Sequence, residues 1–155
     1  MKPWYGFDLD GTLAEYNGWQ GAHHIGAPIP ATLSRLKQRL ADGHEVRIFT
    51  ARIAPADFEL PPEEFDRRSE EVKIATYEIK KWCFRYVGKV LPITYQKDYG
   101  MVDLEDDRVT QIEPNTGRKA VDVAFDAGYQ KGLLDGAEAA KLPDIGPSEE
   151  HGITS

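Results

Sequence analysis

The fold of this chain is decided by the stretch Trp4-Tyr5-Gly6-Phe7-Asp8-Leu9-Asp10-Gly11-Thr12-Leu13. Its first four residues form a short apolar run that is typical of a buried strand, and the acidic residues and glycine that follow indicate a polar turn. The predicted strand therefore ends in two carboxylates. Because side chains alternate along a strand, Asp8 and Asp10 can both leave the sheet edge while Leu9 turns toward the core.

Strands and helices alternate after this first strand. Leucines at helical spacing predict a helix that has Pro30 in its first turn and Gly43 at its C-cap, and a second helix is predicted from Asp66 to about Val87. Further strands are predicted at about 46–49, 91–95 and 101–104. This order predicts an α/β fold, a Rossmann-like open and mostly parallel sheet with helices on both faces.

The region after residue 108 gives weaker signals. Val121, Val123 and Phe125 alternate with smaller or polar residues, which predicts a fifth strand or an extended arm. Residues 127–141 are compatible with a helix, although three glycines weaken it. We predict one core over residues 1–141 and, because Pro, Gly, Ser and Glu dominate the remainder, a disordered tail over residues 142–155.

Composition excludes several classes of protein. The chain has 155 residues, enough for one core, and a formal net charge of −7, which argues against a broad basic surface for nucleic acid but leaves room for a short basic groove. No apolar run is long enough for a membrane helix. Cys83 is the only cysteine, so no internal disulfide is possible. We expect a cytoplasmic protein.

Polar side chains follow four of the predicted strands. They are Asp8 and Asp10, Thr50, Lys97, and the pair Asp106 and Asp107. Because ligands bind beyond the carboxyl ends of parallel strands, these side chains are expected to share one site. Converging carboxylates need a cation, and an all-oxygen ligand set favours Mg²⁺. Thr50 can donate a hydrogen bond to a phosphate oxygen, and Lys97 can offset its charge.

Each of these residues also has an ordinary explanation. An Asp-x-Asp-Gly sequence is often only a turn, a threonine after a strand often caps a helix, and a lone lysine is usually solvated. Their occurrence in order, each at a strand end, favours one site. A phospho-accepting receiver domain would use similar residues in another order, since its phosphorylated aspartate precedes the threonine. Here no isolated aspartate ends the strand before Thr50.

These motifs resemble those of the haloacid dehalogenase-like (HAD) hydrolase superfamily. Phe7–Leu13 resembles its first motif, Arg47–Thr50 the second, Lys97 the third and Val102–Arg108 the acidic fourth. The resemblance implies that Asp8 attacks phosphorus and that Asp10 is the general acid and base. It also implies that Mg²⁺ is held by Asp8, the Asp10 main-chain carbonyl and Asp107, with Asp106 bound through water or orienting the ligands. Thr50 and Lys97 would hold the transferring oxygens.

The activity implied by this resemblance is hydrolysis of a phosphomonoester through an aspartyl-phosphate. An acid at Asp10 suits an alkoxide leaving group better than a halide, which favours phosphatase over dehalogenase. The stretches after the first and second motifs are too short for a cap domain. We expect the substrate to be a nucleotide or another small phosphomonoester. A looser resemblance to the phosphatase domain of polynucleotide kinase–phosphatases leaves a 3′-phosphatase on nucleic-acid ends as an alternative, and a non-catalytic module with this fold is another.

Substrate contacts are expected from the turn and from the loops around it. Leu9 and Gly11 lie where successive main-chain amides make an anion-binding turn. Arg52 can bind a distal phosphate or carboxylate, or else pair with a nearby acid. Trp19 and the two histidines that follow it, His23 and His24, can stack on a base, or they simply form a solvated loop.

Overall fold

The computed structural model describes residues 2–139, which contain four strands and three α-helices. In chain order they are β1 (Trp4–Asp8), α1 (Pro30–Ala41), β2 (Glu45–Phe49), α2 (Pro62–Val87), β3 (Ile93–Thr94), β4 (Met101–Glu105) and α3 (Ala120–Ala139). A short 3-10 helix at Ala51–Ile53 connects β2 to α2.

The four strands form one open sheet in the order β3-β2-β1-β4, and all neighbouring strands are parallel. This confirms the predicted α/β class, and it places β2 and β4 on opposite sides of β1. The chain passes from β1 to β2 and β3 on one side and returns to β4 on the other. A crevice therefore opens between the loops that follow β1 and β4, where ligands bind in sheets of this kind.

The register of the sheet brings the ends of the three longer strands together. Asp8 is aligned with Phe49, so the next residue of β2, Thr50, begins the adjacent loop. On the other side Phe7 is aligned with Glu105, the last residue of β4. The acidic pair that follows β4 consequently lies beside the turn that follows β1.

The core is formed by side chains of the strands, of α1 and of α2. Phe7, Leu9 and Ile48 from the strands pack with Ile79 and Cys83 of α2. The residues of α2 that are buried against the core recur at helical spacing: Ala75, Ile79, Trp82 and Cys83. The Trp82 indole donates a hydrogen bond of 3.1 Å to the main-chain oxygen of Gly26, which ties α2 to the loop after β1. Burial raises the pKa of the Cys83 thiol to about 11.

The chain divides into two compact units at residue 108. The first contains the sheet, α1 and α2; in the second, the described residues contain α3. The predicted strand or arm at Val121–Phe125 is wrong, because these residues lie in α3. Their alternation covers only five residues, and Val121, Phe125 and Tyr129 equally fit the i, i+4 spacing of a helix. The predicted tail lies outside the described residues, and the predicted boundary at residue 141 stays a prediction.

No inserted domain interrupts the described residues after β1 or after β2. The first stretch holds a loop and α1, and the second holds the 3-10 helix and α2. None of the helices between residues 2 and 139 has the length and apolar character needed to cross a membrane.

Candidate active site

Three carboxylates converge at the carboxyl end of the sheet. Asp8 ends β1, and Asp106 and Asp107 follow β4; one oxygen from each lies within 4.8 Å of the others. Thr12, which sequence reasoning missed, links the two loops. Its hydroxyl accepts a hydrogen bond of 3.1 Å from the Asp107 amide and lies 3.4 Å from an Asp107 carboxylate oxygen, to which it can donate. The two loops are therefore held in a fixed arrangement around the carboxylates.

Gly11 is required by this arrangement. Its φ of +87° favours glycine, and a Cβ at this position would lie 2.5 Å from Oδ2 of Asp107. The Gly11 amide donates to the Ala14 oxygen at 2.8 Å, so it is used within the turn. The expected amide contact from Gly11 to substrate is thus corrected: the residue contributes space for Asp107. The Leu9 side chain is fully buried in the core, as the alternation along the strand predicts, and the expected contact of substrate with the Leu9 main-chain amide stays a prediction.

The carboxylate cluster is electrostatically unfavourable without a cation. The pKa of Asp8 is raised from 3.8 to about 7, chiefly by burial and next by the charge of Asp106, with smaller contributions from Asp107 and Asp10. A hydrogen bond from Thr12 acts in the opposite direction. A divalent cation would remove this repulsion. A donor set of carboxylate oxygens fits Mg²⁺ better than zinc, which prefers nitrogen and sulfur.

Asp10 lies outside this cluster and is held by Arg52. The guanidinium donates from Nε to one Asp10 oxygen at 2.6 Å and from Nη2 to the other at 2.7 Å. Its Nη1 donates to the main-chain oxygen of His24 at 2.8 Å, and the Trp19 ring lies 5.0 Å from the guanidinium carbon. Only 5% of the Arg52 side chain is exposed. Of the two alternatives for Arg52, pairing with a nearby acid is the one observed.

Thr50 and Lys97 differ in position. Thr50 is 2% exposed at the end of β2, where its hydroxyl accepts a hydrogen bond from the Arg52 amide at 3.2 Å and lines the cavity beside Asp8. Lys97 is exposed and is not among the residues that line this cavity in the described part of the chain. The structure therefore brings Thr50 to the carboxylates and does not bring Lys97 there.

A different cation, Arg68 of α2, lines the cavity. Its Nη2 donates to the main-chain oxygens of Ala51, Arg52 and Ala54 at 3.1, 3.2 and 2.9 Å, which fixes it against the loop that carries Thr50. Sequence reasoning missed it because it belongs to a run of charged residues that resembles a solvated helix face. One signal could have found it: a helix that follows a strand of a parallel sheet begins at the same edge as the strand ends.

The cavity at this edge has a volume of about 390 Å³. Asp8, Asp10, Thr50 and Asp106 lie on its wall together with three arginines and three aromatic rings, which are Arg52, Arg68, Arg108, Tyr16, Trp19 and Phe49. This cavity thus combines carboxylates that can bind a cation, arginines that can bind an anion and aromatic rings that can contact an organic group. The fold and site define an open parallel α/β protein with an acidic, arginine-lined crevice at its switch point.

Comparisons with known proteins add one structural likeness. The chain is 18% identical to a conserved protein from Bacteroides thetaiotaomicron, with a TM-score of 0.40, over 84% of this chain and 93% of that one. No family model and no curated protein matches the chain. The fold assignment above rests on the strand order and the pairing alone.

Proposed function

We propose that this protein is a magnesium-dependent phosphomonoester hydrolase of the HAD-like superfamily that uses Asp8 as its nucleophile. The observation that carries the proposal is the convergence of Asp8, Asp106 and Asp107, whose oxygens lie within 4.8 Å of one another beside the buried Thr50. This is the arrangement that the sequence motifs imply. The crevice is also large enough for an organic group beside the phosphate.

The reaction has two steps at phosphorus. In the first, an Asp8 oxygen bonds to phosphorus while the bond to the ester oxygen breaks, and that oxygen takes a proton from Asp10. In the second, Asp10 removes a proton from a water molecule whose oxygen attacks phosphorus, and the Asp8 carboxylate leaves. Since Arg52 occupies both oxygens of Asp10, the first step requires this ion pair to open at one oxygen, and that oxygen must take up a proton from solvent before the ester bond breaks.

The surrounding residues bind and orient the phosphoryl group. Asp8, Asp106 and Asp107 would hold Mg²⁺, which when bound would neutralise their charge and polarise the phosphoryl oxygens. The Thr50 hydroxyl can donate to one of these oxygens. Arg68 supplies the fixed positive charge that the family motifs place on Lys97, because Arg68 lines the cavity.

A nucleotide is the substrate class that suits the rest of the cavity. Trp19 is 51% exposed, so it can contact a ring on its open side, while its other contact is the Arg52 guanidinium. Tyr16 adds a second ring to the same wall. A base or sugar beyond the phosphate would therefore meet apolar and aromatic surface.

The test is a magnesium titration with an aryl phosphate and with nucleoside monophosphates. We expect turnover that requires Mg²⁺ and stops in excess chelator, together with a phosphoenzyme trapped by acid quench from wild type and none from Asp8→Asn. The matched control is Asp103→Asn, which removes an exposed carboxylate of β4 that does not line the cavity. Equal turnover in chelator, or a phosphoenzyme on Asp8→Asn, would contradict the proposal.

A further inference from the structure

Positive charge is concentrated in one segment of this acidic chain. From Ile79 to Lys97 the sequence contains five lysines and arginines and no aspartate or glutamate, although the whole chain has a net charge of −7. The five are Lys80, Lys81, Arg85, Lys89 and Lys97. The proposed catalytic mechanism uses none of the first four, so their concentration requires a separate explanation.

The second half of α2 presents part of this charge beside exposed rings. Tyr77, Lys80, Lys81 and Phe84 occupy positions i, i+3, i+4 and i+7, so they share one face of the helix, with a ring at each end and two ammonium groups between. Tyr77 is 62% exposed and Phe84 68% exposed. The two rings are about 10 Å apart along the helix axis.

A groove with a volume of about 610 Å³ lies along this part of α2. Tyr77, Phe84 and Tyr86 line it, with His23 and Ile25 of the loop after β1 on its other side. We call this cavity the basic groove, because Lys80, Lys81 and Arg85 also line it, against a single carboxylate, Glu78, among the described residues.

The cations of the basic groove are close to its rings. The Lys81 ammonium lies 5.3 Å from the centroid of the Tyr77 ring, and the Arg85 guanidinium lies 5.2 Å from that of Tyr86. Lys81 also pairs with Glu78 at 3.0 Å. Lys80 and Arg85 have no acidic partner within residues 2–136.

We propose that the basic groove binds single-stranded nucleic acid. Flat rings that alternate with cations at this spacing match a polynucleotide, whose bases stack on the rings while its phosphates meet the ammonium and guanidinium groups. Tyr77 and Phe84 would each stack on a base. Lys80, Lys81 and Arg85 would neutralise the phosphates between and beside them. A groove of about 610 Å³ suits a short segment of the strand.

An anionic membrane surface is the other partner with this charge, and the geometry disfavours it. A helix that lies in a membrane interface separates an apolar face, which inserts, from a charged face, which does not. Here Lys80 and Lys81 lie between the two rings on the same face, so insertion of Tyr77 and Phe84 would also bury the ammonium groups.

This binding does not depend on the proposed phosphatase activity, because the groove uses none of the residues assigned to the reaction. It is tested by fluorescence anisotropy of the full chain with a labelled oligothymidine of about 12 nucleotides, a length within the usual range of site sizes. Three phosphate contacts predict a slope of about −2 in a plot of log affinity against log salt concentration.

Two variants and one control distinguish three contributions to oligonucleotide affinity: the charges of the groove, stacking on its rings, and the net charge of the protein. The charge variant Lys80→Glu/Lys81→Glu/Arg85→Glu is expected to weaken binding at low salt by at least about tenfold. The stacking variant Tyr77→Ala/Phe84→Ala is expected to weaken it by about fivefold or more with an unchanged salt slope. The control Lys2→Glu/Lys37→Glu/Lys73→Glu changes net charge equally outside the groove and should retain most of the affinity.

Three results would overturn the proposal. The first is no binding of the oligonucleotide by wild type. The second is equal weakening by the charge variant and the control, which would show unspecific attraction. The third is binding to phosphatidylserine vesicles, lost in the charge variant, that exceeds binding to the oligonucleotide. If the charge variant unfolds, as judged by circular dichroism, Lys80→Gln/Arg85→Gln replaces it with the same direction expected.

Discussion

Helix α2 lines two regions of opposite character. Near its start, Arg68 and Glu71 face the crevice that contains Asp8 and Asp106, and its second half lines the basic groove. In the crevice, charges are half-buried and held by short contacts, such as the Arg52 pair to Asp10 at 2.6 Å. In the groove, Lys80 and Lys81 are exposed. Salt screens exposed charges far more than buried ones, so ionic strength should distinguish the two regions.

The crevice and the groove differ in how far water reaches their charged groups. The crevice brings carboxylates together where water is partly excluded. Without a cation this lowers the free energy of unfolding, but it also leaves the carboxylates in place to bind a cation. The groove leaves its cations solvated, so it gains affinity only through contacts with a long anion.

Removing the nucleophile gives the largest effect. Asp8→Asn should lower kcat by about 10⁴-fold or more, the order seen when a covalent nucleophile is removed. Its metal affinity should also fall, because one carboxylate of the cluster is lost. Steady-state kinetics with an aryl phosphate and calorimetric titration with Mg²⁺ measure the two effects. A variant that keeps wild-type turnover would remove Asp8 from the reaction.

Removing the general acid gives a smaller effect that depends on the leaving group. Asp10→Asn cannot protonate an alkoxide, and general acid–base help is worth about 10²- to 10⁴-fold. An aryl ester needs little protonation, so formation of phosphoenzyme from nitrophenyl phosphate should be much less impaired than turnover of an alkyl phosphate. Burst kinetics on both esters provide the measurement. Equal impairment on the two esters would mean that Asp10 has another role, such as holding Arg52.

Two matched variants test whether Arg68 or Lys97 provides the positive charge at the phosphoryl group. Arg68→Ala should lower kcat/KM by about 10²-fold, the magnitude found for a single group that stabilises transition-state charge. Lys97→Ala should change it much less, because Lys97 is exposed outside the cavity. Arg68→Lys, which keeps the charge, should recover part of the loss. If Lys97→Ala is the more damaging change, the family assignment of the lysine holds and Arg68 is structural.

The smallest expected effect is on stability in the absence of metal. The pKa of Asp8 is about 7 when folded and 3.8 as a free carboxyl, so between these pH values the folded protein binds more protons than the unfolded one. The free energy of unfolding therefore falls as pH rises from about 4 to about 7. In chelator, the melting temperature should fall by a few degrees across this window.

The control for this experiment is Asp8→Asn. The melting temperature of this variant should depend less on pH, because the contribution of Asp8 is absent. Mg²⁺ added to wild type should likewise reduce the dependence of melting temperature on pH. Identical pH profiles for wild type and variant in chelator would show that Asp8 has an ordinary pKa.

Much of the sheet could be predicted because its signals are local. The apolar runs of β1, β2 and β4 are each followed by polar residues of the site. The run from Trp4 to Phe7 and the acids after it therefore predict both a strand and its end. The start of the helix at 120–139 could not be predicted, because a short run such as Val121–Phe125 satisfies the strand and helix periods equally, whereas its later part was compatible with a helix.

The candidate site was predicted in part for a related reason. Asp8 and the acidic pair after β4 follow strands directly, so topology alone brings them together. Arg68 and Thr12 reach the site through tertiary contacts, and no spacing in the sequence reveals these. For Arg52, the sequence left open whether it binds substrate or pairs with a nearby acid. Only the folded structure shows that it pairs with Asp10.

The reactivity of the buried thiol of α2 can be used to measure how often this helix separates from the sheet. Cys83 is fully buried, it is the only cysteine of the chain, and its pKa is raised to about 11. At neutral pH only about one thiol in ten thousand would be ionised, and reagents react with the thiolate. Labelling thus requires α2 to separate from the sheet. The labelling rate of the unmodified protein would measure how often that separation occurs, and its change on adding Mg²⁺ or an oligonucleotide would show which ligand holds the helix in place.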